Sequence, residues 1–511
     1  NITNNHVFSQ IGEVQAINII NSADANWSNQ ADVNLSGALT NDGTWKTGQQ
    51  QVINEFTSWK AYADSTKNTI TLATLIGTGI FDIDNGDLAI NQSQNSTFDG
   101  DITGQGMFEK SGVGELTVTK AQNFGKLNIS KGKYISNGAH TLASALVGTG
   151  AQLDLSANLT TANDFTNSGT LALNADITTG TNFVNNGATT VTENRTITTT
   201  GGLAGATSGT INTSADKTLT LNQTGDSTYS GSIEGNGSFL KKGAGTLTLN
   251  GAANSVNLGN QLIIDGGTLA LDGAGILAST MSVAVNDYGT MNLISGNQNI
   301  TSLSGAGIIN LGVNKLYVNN GGTFAGIING SGTLDIVQGD FNISNNITSD
   351  NGTLNVSQGT TTIATIATVI IPDINVNNGG TLDVAGAVEA SNVNVNIGTL
   401  NVTGTVEASN VNVNNGTLDV AGTVEASKEV VVQNGGTLHL GNATDNVTGT
   451  ITTAMTSLYG TLNGIGSISG TTTAHNGSYL KPGNSPGSIT FMDLILAGDK
   501  RVIRVLLFIL V

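Results

Sequence analysis

The residues in this chain that could do chemistry are few, and most stand far apart. Gly483-Asn484-Ser485-Pro486-Gly487 matches the Gly-x-Ser-x-Gly pattern of a hydrolase elbow, with Ser485 as nucleophile. Such an elbow uses the backbone N–H after the serine as an oxyanion donor and needs a helix behind it. Pro486 has no N–H, and no helical pattern follows, so the segment reads as a turn. Asp82, Asp84 and Asp87, in Phe81-Asp82-Ile83-Asp84-Asn85-Gly86-Asp87, raise the question of calcium. An EF-hand loop wants glycine sixth and glutamate twelfth. Counted from Asp82, glycine falls fifth and Ser93 twelfth, which favours an acidic surface turn. His6, His140, His439 and His475 are too widely spaced for a local metal site. His439 alternates with Leu438 and Leu440 and is expected to point outward from a strand. Glu389, Glu407 and Glu425 recur every 18 residues. They are expected to stack as a column of like charge beside a turn, as solvated corner charges or as a cation site. Trp27, Trp45, Trp59, Phe56 and Tyr62 gather near the N-terminus, as part of a capping segment or as a carbohydrate- or receptor-binding face. The many Asn-x-Ser/Thr triplets, such as Asn26-Trp27-Ser28, follow from composition. No catalytic, cofactor-binding or metal residue is assigned, and no cofactor is expected.

The elements that must position these residues are set by an unusual composition. Of 511 residues, 68 are glycine, 3 proline and none cysteine; 5% are aromatic and 11% charged. An average domain carries roughly 25% charged residues. Hydrophobic residues still make up 38%, too many for a disordered chain. Large side chains are scarce, so a core of many small, similar layers fits better than one conventional interior. Eighteen basic against 36 acidic residues give a net charge of −18. That balance argues against nucleic acid or anionic lipid as the main partner. The absence of cysteine excludes a disulfide framework and thiolate metal sites. Val502 to Val511 is the one strongly apolar run, too short for a membrane-spanning helix of about 20 residues. With no initiating methionine or leader, the text is read as starting inside a longer protein.

Repeats supply the layers. Asn392-Val393-Asn394-Val395, Gly398-Thr399-Leu400-Asn401-Val402 and Gly404-Thr405-Val406-Glu407-Ala408-Ser409 return 18 residues later, from Asn410 to Glu425-Ala426-Ser427. The Thr-Leu pair recurs at 333, 353, 381, 399, 417 and 437, with one longer interval that contains Pro372. Within each repeat the period is two, so one strand face is aliphatic and the other polar. Short strands of this kind cannot bury their apolar side alone. Coiling the chain stacks Leu on Leu and Val on Val at about 4.8 Å, with outward Asn and Thr forming ladders between rungs. The expected fold is all-β: a right-handed parallel β-helix of 18–20 residues per rung in its regular part, the hand following from the crossover rule. A longer repeat lies upstream. Ser96-Thr97-Phe98 through Ile102, Phe108 and Lys110 to Leu116-Thr117-Val118 returns 131 positions on as Ser227-Thr228-Tyr229, Ile233, Phe239, Lys241 and Leu247-Thr248-Leu249. A third, partial copy runs from Thr323-Phe324 through Gly326-Ile327 to Thr333-Leu334.

These segments resemble the passenger-associated repeats of bacterial autotransporters, as do Ile300-Thr301-Ser302-Leu303-Ser304-Gly305 and Leu480-Lys481-Pro482-Gly483-Asn484-Ser485-Pro486-Gly487. The Asn/Ile/Thr-rich wording resembles the rickettsial surface-cell-antigen type. The resemblance implies a passenger that is displayed at the outer membrane or secreted, and adhesion to a host-cell surface or extracellular matrix. Past Thr490 the family continues into further rungs and a β-barrel translocator. Here the text changes at about Phe491, and the chain reads as truncated before the barrel.

The expected organisation is an irregular capping segment over 1–70, degenerate β-helix over 71–320, regular β-helix over 321–490 and an aberrant tail over 491–511. The expected function is non-enzymatic: a surface stalk and antigen that acts as an adhesin. Its rivals are a pure spacer or gene remnant, and a polysaccharide-degrading enzyme on a β-helix. The last needs clustered acids and bases in a groove, which 18 scattered basic residues do not suggest.

Overall fold

The computed structural model describes side chains for residues 87–349, 351–441, 447–483 and 488–497, with Leu75, Ile76, Phe81 and Ile83; earlier in the chain it describes strand backbone. Strand makes up 62% of the chain, and no described residue is helical. None of the described segments is therefore a helix long and apolar enough to cross a membrane. The chain divides into two compact units, Asn1–Asn260 and Gln261–Val511. Both are parallel β-solenoids, with about 20 turns in all.

In the first unit each turn lays one strand on each of three faces. The first face stacks Ile80–Asp82, Asp101–Thr103 and, further on, Leu159–Thr161 under Ile177–Thr179. The second stacks Gly86–Asn91, Met107–Ser111 and the later half of Gln122–Ile129. The third stacks Ser96–Phe98, Glu115–Val118, Gly132–Ser136 and Ala151–Leu155. Alternation sends every second side chain inward, so Leu116, Val118, Tyr134, Leu153 and Leu155 pile up inside. Burying each such side chain contributes roughly 1.5–3 kcal/mol, most of it offset by chain ordering.

The second unit has the same three-sided plan with more uniform contents. Thr381–Val384, Thr399–Val402 and Thr417–Val420 form one face in register, Leu on Leu and Val on Val. Ala387–Val395 and Thr405–Val413 each bend through a corner and serve both other faces. Gly404 and Gly422 sit where successive turns approach too closely for a side chain. A Cβ on Gly404 would lie 2.0 Å from the Gly386 carbonyl oxygen, and one on Gly422 2.2 Å from that of Gly404. Where Ser427-Lys428 lengthens the text, a register shift absorbs the addition, and Val430 and Val432 still fall beside Val411 and Val413. That is how a bulge preserves the inward set. The strand Ile489–Leu496 spans the position where the wording changes and pairs with Gly466–Ala474 through one register shift.

One feature of the repeats differs from expectation. The Thr-Leu phrases are not one column. Those at 333 and 353 stack with each other and with Asp373–Val376 on one face, whereas those at 381, 399, 417 and 437 stack on another. The long interval around Pro372 is thus a turn plus one further face. The third copy of the long repeat keeps the inward places of the other two: four residues after Phe98, Tyr229 and Phe324, Ile102, Ile233 and Ile328 are all buried, and Ile327, 46% exposed, stands where Asp101 and Ser232 do.

Candidate functional site

The duplicated segment builds the most elaborate local structure among the described residues. Phe98, Ile102, Phe108, Leu116 and Val118 are buried, as are Tyr229, Ile233, Phe239, Leu247 and Leu249. Strict alternation from Phe108 also turns Lys110 inward, and from Phe239 it turns Lys241 inward; neither is exposed. Lys110 Nζ donates to the carbonyls of Ser111, Gly112 and Lys131 at 3.0, 3.1 and 3.2 Å. Lys241 Nζ donates to those of Lys242 and Gly243 at 3.0 and 3.1 Å. Burial pushes both ammonium groups down to about 8.

The duplication reaches further back than the wording suggests. Gln92 and Gln223 are both buried. Gln92 Nε2 donates to Gln94 O and Glu115 O at 3.1 and 2.6 Å; Gln223 Nε2 donates to Gly225 O and Thr246 O at 3.0 and 2.9 Å. Asn95 Oδ1 accepts the Glu115 N–H at 2.8 Å, and Asp226 Oδ1 the Thr246 N–H at 2.7 Å. Each copy thus has a matching box that ties one turn to the next. The 131-residue spacing and the in-out alternation could have disclosed it.

The copies nonetheless sit on different faces. Phe108 lies on the second face, in register with Leu88, whereas Phe239 lies on the first, in register with Leu219, and Lys241 beside it continues the column of Ile177, Ile197 and Leu221. Tyr229 lies opposite Gly205 on the second face, while Phe98 lies on the third.

Corner capping by Asx side chains recurs beyond these boxes. Asp87 accepts the Met107 N–H, Asp176 that of Thr196, Asn194 that of Thr218 and Asn297 that of Lys315, at 2.8 to 2.9 Å. This gives Asp87 a structural role. Asp82 and Asp84 lie outside the residues whose side chains are described, as do Ser485 and His6.

The other histidines take three different environments. His140 is buried, with Nε2 2.6 Å from Tyr134 Oη and Nδ1 3.5 Å from Ser136 Oγ. Burial lowers the imidazole to about 4 and raises the Tyr134 phenol well above its ordinary value. His439 points outward, as expected, and its Nδ1 lies 3.2 Å from Asp419 Oδ1. It belongs to a row of Asp383, Asn401, Asp419 and His439 along a groove of about 550 Å3. His475 stacks on Tyr459 with ring centres 4.0 Å apart.

The glutamates form the predicted column: Glu389 opposite Glu407, and Glu407 opposite Glu425. With Ala390, Ala408, Ala426, Ser409 and Thr452 they line a corner groove of about 490 Å3. All three glutamates are exposed, and no lysine or arginine is among the residues lining the groove. Elsewhere a cation does sit between carboxylates, as Lys133 does between Glu115 at 3.5 Å and Asp154 at 2.6 Å. Among the described residues, no three His, Cys, Asp or Glu side chains gather in a way that could hold a metal ion.

Outward amides build the longest polar arrays. Asn375 Nδ2 donates to Asn355 Oδ1 at 3.0 Å, Asn394 to Asn375 at 2.9 Å and Asn412 to Asn394 at 2.9 Å. A second row runs from Asn377 to Asn396 and Asn414, both links at 2.6 Å. Of the N-terminal aromatic cluster only backbone is described, and its register sets Trp27 opposite Trp45. No family model matches the chain, and no curated protein or solved structure matches it.

Proposed function

We propose that the chain is the passenger part of a bacterial autotransporter: a non-enzymatic stalk and antigen at the cell surface that adheres to host cells or their matrix. The observation that supports this reading is the duplicated box of buried Gln92 and Lys110 with exposed Asn95, repeated as Gln223, Lys241 and Asp226. It gives the passenger-type wording a physical job: in both copies the Gln and Asx side chains tie turn to turn inside a β-solenoid.

The mechanism is one of presentation. Inward side chains, Asx caps and Asn ladders fix each turn against its neighbour, so the remaining outward residues are available for contact. A turn is completed by the backbone of the turn before it, so order can spread along the chain as it emerges from a pore.

Residues 1–511, placed between a leader and a working outer-membrane barrel in a Gram-negative host, should become sensitive to protease added to intact cells. Such cells should adhere to cultured epithelial cells more than cells that carry the barrel alone. A chain that stays inside, or adherence equal to the barrel-only control, would refute the reading.

A further inference from the structure

One outward face of the second unit carries a groove whose chemistry suits a sugar. Leu316 and Val318 point into the core, which turns Tyr317 outward on the strand Lys315–Val318. Tyr317 lies in register between Asn299 and Asp335. These three, with Asn319, Ser357 and Gln358, line an open groove of about 450 Å3.

The polar groups are held in place before any ligand arrives. Asn319 Nδ2 donates to Asn299 Oδ1. Ser357 Oγ donates to Asp335 Oδ1 at 2.9 Å, and Asn355 Nδ2 reaches Asp335 Oδ2 at 3.5 Å. Each Asp335 oxygen keeps a further lone pair, so the carboxylate can still accept from two neighbouring hydroxyls. Fixing such groups in advance removes much of the ordering cost of binding.

The groove also excludes other ligand classes. The strand carrying Tyr317 is paired on both sides, so no free edge remains for an added peptide strand. Among the residues lining the groove there is no lysine, arginine or histidine, and Asp335 contributes negative charge. An acidic sugar, a phosphate or a nucleic acid would be repelled. What remains is a ligand with an apolar ring face and many uncharged hydroxyls.

We infer that this groove binds a neutral glycan, with a pyranose ring against Tyr317 and its hydroxyls on Asp335, Asn299 and Asn319. The inference rests on the reading of the chain as a binding stalk and names the partner's chemistry. Purified chain tested in solution reads the groove alone, so its failure is distinct from a failure of surface display.

The test is titration calorimetry of the full chain against neutral hexasaccharides of glucose, galactose, mannose and N-acetylglucosamine, with a hyaluronan hexasaccharide as the acidic comparison. At least one neutral series should bind saturably. Tyr317→Ala should weaken it by roughly tenfold, whereas Tyr317→Phe, which keeps the ring, should stay within about threefold. Thermal melts of both variants should match the parent, because Tyr317 lies outside the core. Absence of binding by every neutral sugar, equal binding of hyaluronan, or unchanged affinity in Tyr317→Ala would each overturn the assignment.

Discussion

The turns around residues 88–147 and those around 381–432 solve the same problem in different ways. In the first, the interior holds Phe108 edge-on to Phe124 and Tyr134, with ring centres 5.9 and 6.1 Å apart, together with buried Lys110, Gln122 and His140. In the second it holds a column of Leu and Val, and the hydrogen-bonded side chains lie outside as Asn ladders. One region fixes its register with polar groups that fit in a single place. The other fixes it by repetition, since each turn matches the next. Loss of one element should therefore be severe in the first and shared among neighbours in the second.

The sharpest way to break this contrast is a cavity. Phe108→Ala should cost about 3–5 kcal/mol in the first unit, against roughly 2 kcal/mol for Val411→Ala in the second. Urea unfolding followed by hydrogen exchange on peptides from each unit would measure both. Equal losses would erase the distinction.

Acid should separate the regions nearly as strongly. His140 is held neutral down to about 4 in the folded chain, while an unfolded histidine takes a proton near 6.5. The unfolded state therefore binds the proton first, and stability present above pH 6.5 is lost as pH falls towards 4, by about 3 kcal/mol. His140→Gln should flatten that slope in the first unit and leave the second unchanged; an unaltered profile would remove the explanation. Lys110 and Lys241 give the opposite limb. Folded they release protons near 8, so stability should rise between pH 8 and 10, while the unfolded lysines remain charged.

Smaller effects belong to the outer surface. Asn394→Ala breaks one ladder and should cost about 1 kcal/mol, detectable as a shift in urea midpoint for peptides around 375–412. Glu407→Gln interrupts the acidic column and should raise the melting temperature slightly at low salt. The gain should vanish at about 1 M salt, where charges this exposed are screened. A gain that persists in salt would mean that packing, not repulsion, governs the corner.

How much of this was legible in the sequence depends on the scale of the feature. The period of two and the 18-residue spacing are local signals, and they place Leu400, Val402, Val411 and Val413 inward and the three glutamates in one column. The 131-residue repeat marks Lys110 and Lys241 as equivalent and the alternation turns both inward, but the text does not show the carbonyls that receive them, one of which, Lys131 O, comes from the next turn. Gln92 and Asn95 match Gln223 and Asp226 at the same spacing, but their shared partner Glu115 lies a turn away and carries no mark in the text. The Thr-Leu phrases show the limit most clearly. Every face demands the same alternation, so the text of a strand does not say which face it occupies. The groove at Tyr317 gathers residues one and two turns apart, a proximity set by register rather than by any contiguous motif.

The two equivalent boxes on different faces carry a consequence for how such genes diversify. A duplicated block of 131 codons adds no whole number of windings, so everything encoded downstream changes its azimuth about the axis. Unequal recombination can thereby re-aim existing loops without altering a single codon within them. The position of a crossover would then decide which way a given loop faces.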